Sequence, residues 1–180
     1  VDGDSEDARL GYSVSAAGDF DADGKTDIIA GAPYTDDVAQ NAGAAYVLDS
    51  AYEGNVSIDA GVRFDGVAAG DQAGWSVGSA GDFNDDGIND VIVGVPYSDT
   101  EKGNDTGVAY ILFGEQEPPD RSLDDADVTL VGEDGGDRAG FAVSAAGSGD
   151  VTCDRIDDVL VGAPFNNSSY AHAGATYVVN

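Results

Sequence analysis

A chain of 180 residues suffices for one ordinary domain with a sizeable core, or for a set of small repeated units. Its 35 Asp and Glu stand against 7 Lys and Arg, a formal charge of -28; this excludes nucleic acid as a natural partner and opposes docking on anionic membranes, both of which need basic clusters. Of the acids 29 are Asp, a poor helix former, and 26 Gly accompany them, so many tight turns are expected rather than a helical bundle. A hydrophobic content of 42% is that of a folded domain. No apolar run approaches ~20 residues, so no direct membrane insertion is expected.

In chain order, Val1-Asp2-Gly3 leads to a segment opening Gly11-Tyr12-Ser13-Val14-Ser15-Ala16-Ala17-Gly18-Asp19-Phe20 and reaching Gly31-Ala32-Pro33-Tyr34. The same pattern returns from Gly74-Trp75 to Ala80-Gly81-Asp82-Phe83, then Gly94-Val95-Pro96-Tyr97. It returns again from Gly140-Phe141 to Ala146-Gly147, then Gly162-Ala163-Pro164-Phe165, with a short insertion between the two motifs. The chain is therefore three copies of one unit, divided at about 1–56, 57–124 and 125–180.

Each unit reads as four short strands. Large and small residues alternate after the opening Gly (Tyr12, Val14, Ala16; Trp75, Val77, Ser79; Phe141, Val143, Ala145), which marks a strand with one packed face. The runs Ile28-Ile29, Val91-Ile92-Val93 and Val159-Leu160-Val161 read as strands buried on both faces, each stopped by a proline. Third strands follow at Ala45–Leu48, Ala109–Phe113 and Thr176–Val179, and a more polar outer strand at Ile58–Phe64 and Val128–Val131. This repetition predicts an all-β fold of β-propeller blades, each of four antiparallel strands. Three blades do not close a ring. Val1-Asp2-Gly3 matches Phe64-Asp65-Gly66, and the chain ends inside a third strand. The expectation is an open fragment of a larger propeller, completed by further blades or by a second copy.

The Gly-aromatic openings, the Ala-Gly-Asp that follows two of them and the Gly-Ala-Pro or Gly-Val-Pro closings resemble the FG-GAP repeats of integrin α-subunits and of many secreted prokaryotic surface proteins. The resemblance covers essentially the whole chain. It implies a usually seven-bladed propeller with calcium in the blade loops, a secreted or cell-surface location, and a role in adhesion or ligand recognition toward a protein or glycan.

Between the first two strands of unit one lie Asp19, Asp21, Asp23, Lys25 and Asp27, around Gly24. Alternate carboxylates and a Gly turn converge hard oxygens on one point, which suits Ca²⁺ with its 6–8 oxygen ligands. The resemblance implies side-chain ligation by Asp19, Asp21, Asp23 and Asp27, with Lys25 giving its backbone carbonyl and its side chain pointing away. Unit two repeats the spacing with Asp82, Asn84, Asp86, Ile88 and Asp90 around Gly87. Unit three offers Asp150, Thr152, Asp154, Ile156 and Asp158, but Arg155 replaces the glycine, disfavouring the turn and adding a cation. Plain Asp-Gly turns without metal are the alternative reading of this spacing. Two calcium sites are expected, with the third left open.

The remaining acids lie largely outside these loops. With only two Lys, the excess resembles proteins of extreme halophiles, where salt screens self-repulsion, and a halophilic prokaryotic source is expected on that ground. Asn55, Asn104, Asn166 and Asn167 open N-glycosylation tripeptides. The single Cys153 permits no intrachain disulfide, and the single His172 has no His or Cys partner for catalysis or zinc. The sequence thus offers no Ser-His-Asp set, nucleophilic Cys setting or His cluster, so the expected function is non-enzymatic. The alternative is an accessory, carbohydrate-binding propeller of a secreted hydrolase or lyase.

Overall fold

The period-two segments and β-branched runs become three antiparallel sheets, with no helix among the described residues longer than a single 3-10 turn at Leu123–Asp125. The computed structural model describes residues 7–49, 61–146, 150–168, 170 and 173–180. Sheet one contains β1 (Ser13–Gly18), β2 (Asp27–Ala32), β3 (Ala44–Leu48) and β4 (Val62–Asp65) in sequence order. Sheet two contains β5 (Ser76–Gly81), β6 (Asp90–Val95), β7 (Val108–Leu112) and β9 (Val128–Val131). Sheet three contains β10 (Ala142–Ala145), β11 (Val159–Ala163) and β12 (Ala175–Val179). The sheets are the blades of a propeller, and among the described residues they do not close into a ring. A short β8 (Arg121–Ser122) leaves unit two and pairs in parallel with β4 of sheet one, through Phe64 opposite Arg121 and Asp65 opposite Ser122. The outer strands β4 and β9 pair with β3 and β7, so each sheet continues past the sequence positions 57 and 125. The outer strand expected from Ile58 is observed from Val62; residues 58–60, like Val1-Asp2-Gly3, lie outside the described residues.

The register is the same in each hairpin: Ser13 faces Gly31 in sheet one, Ser76 faces Gly94 in sheet two and Ala142 faces Gly162 in sheet three. The central strand β6 is buried along its length. Its Val91, Val93 and Val95 pack with Ile29, Val47, Phe64 and Leu112, while Ile92 packs on the opposite face with Ile111, Val159 and Val161. Each such buried side chain contributes about 1.5–3 kcal/mol relative to exposure, so this strand joins the two halves of the core. The expectation of two buried faces fails for β2. Ile29 is fully buried but Ile28 is 49% exposed, because among the described residues no sheet covers its outer face.

The closing glycines explain how blades meet. A Cβ on Gly31 would lie 1.9 Å from the carbonyl oxygen of Gly74, and one on Gly94 2.1 Å from that of Gly140. The Gly-x-Pro of one unit is thus the seat for the Gly-aromatic opening of the next. Above these seats the aromatics form a ladder, with Tyr12 on Trp75 (4.9 Å between centroids) and Trp75 on Phe141 (5.5 Å).

Candidate metal centre

Each β1–β2-type hairpin ends with a buried Asp: Asp27 starts β2, Asp90 starts β6, and Asp158 precedes β11. These acids hold their loops closed. Asp27 Oδ2 accepts from Phe20 N at 3.0 Å, Asp90 Oδ2 from Phe83 N at 2.8 Å, and Asp158 Oδ2 from Val151 N at 2.6 Å. The first acid of each loop accepts from the turn residue: Asp19 from Gly24 N (3.1 Å), Asp82 from Gly87 N (2.9 Å), Asp150 from Arg155 N (2.8 Å). The fifth position then accepts from the seventh, in Asp23 with Lys25 N (2.8 Å), Asp86 with Ile88 N (2.9 Å) and Asp154 with Ile156 N (3.0 Å). Three sequences therefore build one scaffold.

The turn residues explain why Gly is preferred. Gly24 and Gly87 both have φ of 90°, and Arg155 is held at 80°, in the left-handed region that costs an L-residue about 1–2 kcal/mol. Arg155 thus adopts the turn that its side chain disfavours. Cys153, exposed and with φ of 64°, occupies the second left-handed position of the same loop.

Among the described residues, loop one alone gathers three carboxylates around a point. Oxygens of Asp19, Asp21 and Asp27 lie within 4.8 Å of one another, as do those of Asp21, Asp23 and Asp49. Oxygens that share a calcium at about 2.3–2.6 Å from each are separated by at most about 5 Å, so the donor set fits that ion. Asp49 was not foreseen, because it lies outside the loop in sequence. It follows β3 directly, and the pairing of β2 with β3 carries it to the cluster. The Lys25 side chain does not point away, as expected, but folds back and ion-pairs with Asp23. That contact holds the Asp23 carboxyl below its usual range and the Lys25 ammonium above its own. The clustered negative charge recruits the nearest cation.

In loop two, Asn84 replaces a carboxylate while keeping the geometry: its Oδ1 accepts from Asp86 N at 3.1 Å and its amide donates to Asp86 Oδ2 at 2.8 Å. Burial pushes the Asp90 carboxyl up to about 6 against the pull of hydrogen bonds from Gly114 N and Phe83 N. In loop three, Thr152 turns inward, its Oγ1 donating to Asp158 Oδ1 at 3.2 Å. Hydrogen bonds from Ile156 N and the Asn180 amide hold the Asp154 carboxyl below its usual range. Asn180 follows β12 as Asp49 follows β3, so a neutral donor stands in loop three where loop one has a further acid.

The glycosylation candidates separate. Asn104 and Asn167 are exposed, and Asn55 lies outside the described residues, as does His172. Asn166 does not suit glycan attachment: it is 3% exposed, and its amide nitrogen donates to Asp137 Oδ2 (2.8 Å) and Glu133 Oε2 (3.3 Å).

Residues 10–48 and 73–112 match the FG-GAP repeat family. The chain is 33% identical over 181 residues to integrin alpha pat-2 of Caenorhabditis elegans, covering 95% of this chain and 14% of that protein. It is 32% identical over 163 residues to the phosphatidylinositol-glycan-specific phospholipase D of Bos taurus, covering 87% of this chain and 19% of that protein. With integrin alpha-PS3 of Drosophila melanogaster the identity is 30% over 177 residues, or 96% and 15% of the two chains. The chain thus spans less than a fifth of the length of these relatives. All three are animal proteins, and a halophilic prokaryotic source is not borne out.

Proposed function

We propose, for a chain that carries FG-GAP repeats, that it is a calcium-stabilised, non-enzymatic propeller segment of a secreted or cell-surface protein that serves adhesion or ligand recognition. The observation that supports this most is the carboxylate group of loop one, set on a hydrogen-bonded scaffold that all three loops share. Asp19, Asp21, Asp23 and Asp27 would hold the ion, with Asp49 close by and Lys25 giving its carbonyl. Asp82, Asn84, Asp86, Asp90 and the carbonyl of Ile88 would form the second site. A third site at Asp150, Thr152, Asp154, Asp158 and the carbonyl of Ile156 would be weaker. A bound calcium supplies positive charge that relieves the repulsion among these carboxylates, so metal and hairpin stability are linked. The protein's own residues do the rest: the buried Asp of each loop fixes the turn, and the turn aims the other oxygens.

Further blades of the same kind, in the same protein or a second copy, would complete the ring and present its surface to a protein or glycan ligand. Calcium titration by calorimetry tests the metal reading: two tight sites are expected, the tighter abolished by Asp23→Ala, and no heat of binding would contradict it. The match to a phospholipase D supports a second reading, an accessory propeller of a secreted enzyme, with carbohydrate as its ligand. The sequence of the full protein separates the two, because a neighbouring catalytic domain favours the second and a membrane anchor the first.

A further inference from the structure

Loop one is fastened to the neighbouring blade as well as to its own. Asn89, which immediately precedes the last acid of loop two, reaches back across the junction. Its Oδ1 accepts from Asp19 N at 2.9 Å, and its backbone N–H donates to the Asp19 carbonyl at 3.2 Å. The corresponding residue of unit three, Asp157, accepts from Asp82 N through Oδ2 at 2.9 Å. Both side chains come so close that the residue before the first loop acid has no room for a Cβ. A Cβ on Gly18 would sit 2.4 Å from Asn89 Cγ, and one on Gly81 2.2 Å from Asp157 Oδ2. The residues after β7 add two ties. Gly114 N donates to Asp90 Oδ1 at 3.0 Å, and the adjacent Glu115 N donates to the Phe20 carbonyl at 3.1 Å.

We propose that Asn89 and Asp157 are positioning residues that couple neighbouring calcium loops, so that an ion held in one blade strengthens binding in the blade before it. The proposal rests on the calcium reading above. The residues that place Asp19, the first acid of loop one, belong to the same short segment as Asp90, the last acid of loop two. Ordering Asp90 on an ion therefore fixes the Asn89 acceptor and with it the Asp19 backbone, which then need not be ordered again when loop one fills. Linkage requires the effect to be reciprocal. Nothing in this chain requires the acceptor to be an amide, since Asp157 does the same work with a carboxylate.

Calcium titration of the intact protein, with calcium alone as the probe, tests the coupling. Asp86→Ala, which silences loop two, is expected to weaken loop one by about tenfold in the native background and by less than about twofold in an Asn89→Ala background, a difference of the size of the one side-chain hydrogen bond that Asn89→Ala removes. Asn89→Asp is expected to retain the native coupling. If Asn89→Ala does not fold, hydrogen exchange decides. In the Asp23→Ala protein, whose loop one is silenced, calcium should raise protection of the Asp19 amide by about tenfold, and adding Asp86→Ala should remove that rise. Additive effects in the titration, or an Asp19 amide indifferent to calcium, would overturn the coupling while leaving the calcium sites in place. Absence of calcium binding by the unaltered protein would overturn both.

Discussion

Loops one and three share their internal hydrogen bonds nearly position for position, yet they carry opposite electrostatic arrangements. Loop one sets five carboxylates, including Asp49, around a glycine turn and recruits Lys25 onto Asp23. Loop three sets Thr152, Asn180 and Arg155 where loop one has Asp21, Asp49 and Gly24, and satisfies its acids with its own donors. The difference teaches that the hairpin scaffold and the proposed cation site are separable. Buried Asp and turn geometry make the first; the second would need the clustered carboxylates that loop one has and loop three replaces.

The largest expected effect leaves the two loops alike. Asp27→Ala and Asp158→Ala each strand backbone donors in a buried setting and should cost about 2–3 kcal/mol, even in the presence of a chelator. Denaturant unfolding of both variants checks this, and a loss confined to loop one would break the separation of scaffold from site.

A similar contrast of shared frame and local neighbour occurs at the junction turns, on the order of 2 kcal/mol. Asp71 is buried, and burial pushes its carboxyl up to about 6 against the pull of a backbone hydrogen bond from Ala68 and of Ser98 Oγ, 3.5 Å from its Oδ2. The equivalent Asp137 has the Asn166 amide at 2.8 Å. Because the folded protein binds the Asp71 proton more tightly than the unfolded chain does, stability falls as pH rises from about 4 to about 6 and does not recover above. Asp90 is raised to the same value and contributes to the same fall, so Asp71→Asn should remove about half of it in chelator-treated protein, as measured by unfolding across that range.

The next effect separates the loops. Asp23→Ala should cost loop one at least about tenfold in calcium affinity, or ~1.4 kcal/mol, whereas Asp154→Ala should change total calcium binding much less. Calorimetry on both variants at one salt concentration reads the difference. The smallest effect converts one loop toward the other. Arg155→Gly relieves the left-handed strain and should stabilise the protein by about 0.5–1 kcal/mol net of the glycine's extra chain entropy. It should also strengthen the third site several-fold, and an unchanged third site would show that Thr152 and Asn180 set its weakness instead.

The blades were legible because periodicity and turn chemistry act locally: alternation marked β1, and the β-branched run marked β6. What escaped depends on neighbours distant in sequence. The Arg121–Ser122 strand is too short to carry a pattern, and only its partner β4 makes it a strand. Ile28 reads as core, yet its face has no sheet against it among the described residues. The loop acids were legible from spacing alone, but Asp49 entered through strand pairing and Lys25 turned inward to meet charge. Asn166 sat in an acceptor tripeptide whose burial only the fold discloses.

Thermal unfolding of the intact protein, with saturating calcium and then with excess chelator, tests the central claim most directly. If the loops hold structural calcium, an ion at about a hundred times its dissociation constant adds ~2.7 kcal/mol per site, which raises Tm by about 5–10 °C for a unit of this size. Asp23→Ala should remove much of that rise. A Tm that chelator leaves unchanged would show that the loops are closed by their own hydrogen bonds alone, and would contradict the account.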